Sequence, residues 1–170
     1  MALGLHAEGR LWMCACGDIK LWHGVVVSSE NSQHIFDWYT FTHFVHGLGF
    51  YLLLWLVDRK KRLSFAAKLA IAVGLEAAWE ILENSPMIID RYRTATISLD
   101  YYGDSVINSI GDVLAMTAGF YFAYRMRIWH SIAIFFFLEL ALMYFIRDNL
   151  TINIIMLIYP IEAIKLWQAG

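Results

Sequence analysis

Residues 64–82 read SFAAKLAIAVGLEAAWEIL and residues 105–124 read SVINSIGDVLAMTAGFYFAY. Each is an apolar run of about the 17–20 residues that a helix needs to cross a hydrocarbon core about 30 Å thick. Each also carries carboxylates at helical spacing. Glu76, Glu80 and Glu83 stand at i, i+4 and i+7, and Asp104, Asn108 and Asp112 at i, i+4 and i+8, so each set shares one helix face. An ionisable group at membrane depth costs several kcal/mol unless it is paired or wetted, which makes such groups functional candidates.

Working outward, three more apolar runs appear: 41–57 (FTHFVHGLGFYLLLWLV), 128–146 (IWHSIAIFFFLELALMYFI) and 150–166. The last is weakened by Pro160, Glu162 and Lys165. None alternates as a barrel strand does, so helices are predicted throughout. The chain is 59% hydrophobic and 16% charged, with a mean hydropathy of +0.53. Soluble domains are less apolar and more highly charged. The fold class expected is therefore all-α, a polytopic transmembrane bundle of four to five spans. Residues 1–40 form an extracytoplasmic N-terminal segment and residues 41–170 the bundle. The net charge of -2 and the absence of a basic stripe exclude a nucleic-acid partner. No P-loop, dinucleotide fingerprint, Ser/His/Asp pattern or HExxH is present.

Lysine and arginine set the expected orientation. Arg59, Lys60, Lys61 and Arg62 lie between the first two runs, Arg125 and Arg127 between the third and fourth, and such loops stay cytoplasmic. That puts residues 1–40, 83–104 and 147–149 outside and the C-terminus inside, in a bacterial inner membrane. An outside N-terminus needs an exporting segment, so a span upstream of Met1, or an earlier start, is expected. At about 1.5 Å per residue, His43, His46, Glu80, Glu83, Asn108 and Asp112 then fall at similar depth in the outer leaflet.

This coincidence predicts a polar pocket opening outward. His43, His46, Glu80 and Asp112 are the candidate catalytic groups, because carboxylates beside an imidazole serve as general acid and base. His43, His46 and Glu80 are candidate ligands for a divalent metal. Glu83, Asn84, Asp104 and Asn108 are candidate substrate contacts, and Arg91 and Arg93 a candidate anion clamp over the pocket, against their pairing with nearby acids. The competing reading is a polar network that only packs helices. A transporter needs polar groups through the full depth, and the inner halves of these runs are apolar. A structural partner subunit without chemistry is the remaining alternative. Cys14 and Cys16 pair structurally, or join His23 and His34 around a soft metal. Trp12, Trp22, Trp38, Tyr39, Tyr101, Tyr102, Trp129 and Trp167 are read as anchors at the bilayer edges. Glu139 stands isolated in the fourth run.

The run EAAWEILENSPMIIDRYRTATISLDYYGDSVINS (76–109), preceded by SSENSQHIFDWYTFTHFVHG (28–47) and followed by RDNLTINIIMLIYPIEAIK (147–165), resembles a bacterial family of multi-pass inner-membrane proteins of unknown function. The resemblance covers about Cys14 to Trp167. It implies an inner-membrane location, no established activity and an apolar stretch upstream. A looser pattern, Asp37, His43-Phe44, Glu80, Arg91 or Arg93, Asp104 and Asn108 with Gly111, is similar to the VanZ-like membrane proteins and implies a shared bundle. The polar pocket read from the residues makes the lipid bilayer the expected partner and a polar-headed lipid or envelope precursor the expected ligand.

Overall fold

The structure, a computed structural model, describes residues 1–96 and 99–170. Among these every regular element is a helix: α1 (Ala2–Ala7), α2 (Thr40–Val57), α3 (Phe65–Glu83), α4 (Pro86–Ala95), α5 (Val106–Arg125), α6 (Ile128–Ile146), α7 (Leu150–Ile158) and α8 (Glu162–Ala169). Three of them, α2, α5 and α6, are long and apolar enough to cross a membrane. Helix α3 matches them with 19 residues but holds Lys68, Glu76, Glu80 and Glu83.

The run at 150–166, predicted as one span, is corrected to two short helices. Helix α7 has 9 residues, about 14 Å of rise, which is less than half a hydrocarbon core. The chain leaves helical geometry at Tyr159, just before Pro160, whose ring restricts the residue preceding it and whose nitrogen cannot donate. The polar connection after α3 is likewise not all loop. Pro86 occupies the first turn of α4, where a missing N–H costs nothing.

Helices α2 and α5 form the centre. They approach so closely that a Cβ added at Gly47 would lie 2.1 Å from the Met116 carbonyl oxygen, and one at Gly119 2.0 Å from that of Phe44. Small residues at such crossings let backbones touch. Near the Arg59–Arg62 turn the interior is apolar, with Leu54, Ala72, Met116 and Phe120 packed together. At the opposite end buried polar groups take over.

Residues 8–39 fold over that polar end. The carbonyls of Leu11 and Trp12 accept the backbone N–H groups of Val106 (2.8 Å) and Ile107 (3.1 Å), two donors in the first turn of α5 that have no partner within the helix. Ser105 caps the same helix through Asn108 N. Asp37 accepts from the backbone of Ser32 (3.0 Å), Tyr39 (2.7 Å) and Thr40 (3.3 Å), which ties the entry of α2 to the loop. Asp37 is thus buried, and burial raises its carboxyl above the usual range while these bonds pull it back.

Glu139 is not isolated. Its carboxylate accepts the N–H groups of Leu150 (3.1 Å) and Thr151 (3.0 Å), and its carbonyl accepts the Asn149 side chain (3.1 Å). A carboxylate at a helix N-terminus meets both unpaired donors and the positive end of the helix dipole.

Candidate functional site

Helix α2 presents His43 and His46, three residues apart, to the face of α3 that carries Glu76 and Glu80. His43 Nδ1 lies 2.6 Å from Glu76 Oε1, and His46 Nδ1 is 3.2 Å from both Glu76 oxygens. His43 Nδ1 is also 3.4 Å from Glu80 Oε1, and its Nε2 faces Asp112 Oδ2 of α5 at 3.9 Å. Both glutamates are 0% exposed and Asp112 3%. Helices α3 and α5 therefore surround one imidazole of α2 with three carboxylates.

These carboxylates are not equally satisfied. Glu76 has two imidazoles. Neither Glu80 oxygen has a hydrogen-bond partner among the described residues, and Asp112 Oδ1 has none either. A single Nδ1–H cannot serve Glu76 and Glu80 together. A buried acceptor left unmatched costs about 1–3 kcal/mol, so this arrangement is expensive as mere packing.

A second layer stands above. The Asn84 side chain donates to Glu80 O (3.0 Å) and to Asp104 Oδ2 (2.9 Å), and accepts from Asp104 N. Tyr101 donates to Asp104 Oδ1 at 3.0 Å. Tyr101 is buried, which corrects its reading as a bilayer-edge anchor. Burial raises the Asp104 carboxyl above its usual range, and the Asn84 bond opposes this. The Tyr92 hydroxyl lies 2.9 Å from both Glu83 Oε1 and Asn153 Oδ1. One hydroxyl hydrogen cannot serve two acceptors, so one of these neighbours donates to the phenol oxygen.

A cavity of about 460 Å³ opens beside these groups. His43, His46, Glu83, Asp104 and Asp112 form its polar side. Leu75, Trp79, Leu82, Ile154 and Leu157, from α3 and α7, form its apolar side. Its size lies within the range of small-molecule sites.

Of the predicted residues, His43, His46, Glu80 and Asp112 come together, and Glu83, Asn84 and Asp104 lie next to them. Asn108 does not join them; its side chain donates to His34 O at 2.8 Å and holds the loop. Arg91 and Arg93 do not reach the cavity. Arg91 donates to the Leu157 (2.8 Å) and Ile158 (3.2 Å) carbonyls that end α7. Arg93 donates to Leu99 O at 3.2 Å and lies over the Tyr102 ring. The clamp is not formed because α4 turns Arg91 toward the C-terminus of α7 and Arg93 toward Leu99 and Tyr102, between α4 and α5. Glu76 is the residue that sequence reasoning left out of the site, although its spacing from Glu80 marked it. Tyr92 and Asn153 carried no signal, since only tertiary contact joins α4 to α7.

Cys14 and Cys16 form a disulfide. Glu30 and His34 lie close by, with His34 Nε2 3.0 Å from Glu30 Oε2, and Lys20 pairs with the same carboxylate. The lysine and the imidazole hold the Glu30 carboxyl down to about 2. With both sulfurs in the bridge, no free thiol remains for a soft metal.

Residues 5–170 match the family model described as "Protein of unknown function (DUF2585)". The chain belongs to the DUF2585 family. It is 56% identical over 169 residues to the UPF0314 protein of Paracoccus denitrificans, spanning 99% of this chain and 86% of that relative. It is 55% identical over 165 residues to UPF0314 protein R03235 of Rhizobium meliloti, spanning 97% and 83%. It is 53% identical over 163 residues to the UPF0314 protein of Sphingopyxis alaskensis, spanning 95% and 85%. No solved structure matches this DUF2585 chain.

Proposed function

We propose that this DUF2585 protein is an integral inner-membrane protein that binds, and processes, a polar-headed lipid or envelope precursor in the hollow between α2, α3 and α7. The observation that carries this reading is the division of one cavity into two walls. Leu75, Leu82, Ile154 and Leu157 offer an acyl chain an apolar wall, while His43, His46, Asp104 and Asp112 face the head group. No Arg or Lys lines the cavity among the described residues. The ionisable groups on the polar wall are carboxylates, imidazoles and phenols, which favours a cationic or hydroxyl-bearing head group over an anionic one. His43 has a carboxylate facing each ring nitrogen, so the group placed to accept a proton from a head-group hydroxyl is Glu83, which lines the cavity and whose Oε2 has no partner among the described residues.

In this reading the cavity faces the outer leaflet, residues 1–40 and 83–104 lie outside, and the C-terminus is cytoplasmic, as the Arg59–Arg62 loop favours. His43 and Asp104 of the VanZ-like pattern line the hollow and Glu80 stands beside it, which supports a bundle shared with those proteins. A partner-subunit role draws its support from α6, whose Phe136, Phe137, Leu140 and Tyr144 are exposed apolar side chains, although acyl chains cover such a face equally well.

The test is mass spectrometry of lipids retained by detergent-purified protein, compared with Ala78→Trp, which fills the cavity. A species enriched over the bulk extract in wild type and lost in the variant is expected. Identical lipid profiles in the two proteins would overturn the reading.

A further inference from the structure

The unmatched Glu80 oxygens ask for a partner that the polypeptide does not supply. Beside them three donor-bearing side chains converge, His43, His46 and Glu76, with one ligand atom of each within 4.8 Å of the others, and His43 also groups with Glu80 and Glu83. Ligand bonds of about 2.0–2.2 Å to a divalent transition ion place neighbouring donor atoms roughly 3.0–3.5 Å apart. The separations His46 Nδ1 to Glu76 (3.2 Å to each oxygen) and His43 Nδ1 to Glu80 Oε1 (3.4 Å) fall in that range. Only His43 Nδ1 to Glu76 Oε1, at 2.6 Å, is shorter, and a cation between them replaces the shared proton and opens the pair by about half an ångström.

The surroundings fit as well. His43 Nε2 points at Asp112 Oδ2, 3.9 Å away, which is the outer carboxylate that typically orients a ligating imidazole. Both histidines line the cavity, whereas Glu76 lies behind them, so a position facing the hollow stays open. Open positions distinguish catalytic metal sites from closed structural ones. Nitrogen and carboxylate donors without sulfur select borderline ions such as Zn²⁺ or Fe²⁺ over soft Cu⁺.

We propose that His43, His46 and Glu76 hold a divalent first-row transition ion at the floor of the hollow, with Glu80 completing its charge balance and Asp112 as a positioning residue. The proposal deepens the reading given above and rests on it for the identity of the open position's occupant. An ion held there would polarise a head-group oxygen at that position.

The test uses the full chain in detergent, stripped with a chelator and titrated with Co²⁺ as a spectroscopic probe. One equivalent with visible ligand-field bands of an N/O site is expected, displaced by Zn²⁺. His46→Ala, at the cavity edge, should weaken binding at least 100-fold. Asp112→Asn should weaken it about 10–100-fold and alter the bands, as the loss of an outer-shell partner does. Absence of ligand-field bands in the wild type, or wild-type affinity in His46→Ala, overturns the proposal; neither result depends on the folding of Glu76→Gln. Lipid retention by the stripped protein separates the two readings. Retention without metal binding removes the ion and leaves the amphiphile reading intact, whereas metal binding without any enriched lipid does the reverse.

Discussion

Glu76 and Glu80 sit one turn apart on α3, equally buried, yet their removal should have opposite effects. Glu76 is matched by His43 at 2.6 Å and by His46 at 3.2 Å. Replacing it with Met, similar in volume, leaves two imidazoles without their acceptor. Breaking a buried hydrogen-bonded pair of this kind costs about 3–5 kcal/mol. Glu80 makes no hydrogen bond through either oxygen. Its replacement by Met removes an unmatched buried group that costs about 1–3 kcal/mol and puts apolar atoms in the same space. Glu80→Met should therefore stabilise the protein by about 1–3 kcal/mol, and the two variants should differ by at least about 4 kcal/mol. The assay is equilibrium unfolding in mixed micelles followed by tryptophan fluorescence, with chelator present so that no ion contributes. If Glu80→Met loses as much stability as Glu76→Met, the carboxylates form one packing network and the argument from the orphaned oxygens fails. A gain in stability with loss of ligand binding is the signature of a site kept at the expense of folding.

Three further outcomes follow from other parts of the molecule. Gly119→Ala, whose Cβ would lie 2.0 Å from Phe44 O, should destabilise by about 3 kcal/mol in the same unfolding assay, whereas Gly49→Ala, with nothing within 4 Å of the new Cβ, should be tolerated. Glu139→Ala should free the first N–H groups of α7, at a cost of about 1–2 kcal/mol, seen as faster hydrogen exchange at Leu150 and Thr151 and unchanged exchange in α5. Glu30, with its folded value near 2 against an ordinary 4.5, contributes stability that is present above pH 4.5 and is lost as the pH falls toward 2. Exchange protection of the Lys20–Phe36 segment should fall across that window, and Glu30→Gln should abolish the pH dependence.

Composition and periodicity made the helices legible because a helix is a local structure whose apolar length and carboxylate spacing are written in consecutive residues. The runs at 41–57, 105–124 and 128–146 correspond closely to α2, α5 and α6. The break of the fifth run was also foreshadowed by Pro160, although its apolar content reads as one span. Depth counting brought His43, Glu80 and Asp112 to one level, and they do meet. It failed for Asn108, because depth does not fix rotation, and Asn108 turns toward the loop at His34. It also failed for Arg91, whose partners at the end of α7 lie 66 and 67 residues away in the chain.

The amino-acid order alone determined that the chain builds apolar helices with acidic faces, since 3.6-residue periodicity assigns each side chain to a face without reference to any neighbour. Only the tertiary structure decided which glutamate is matched and which is left over. That depends on the rotation and separation of α2, α3 and α5, set by close backbone contacts such as Gly47 against Met116 and Gly119 against Phe44, and about one ångström is the difference between a hydrogen bond and none.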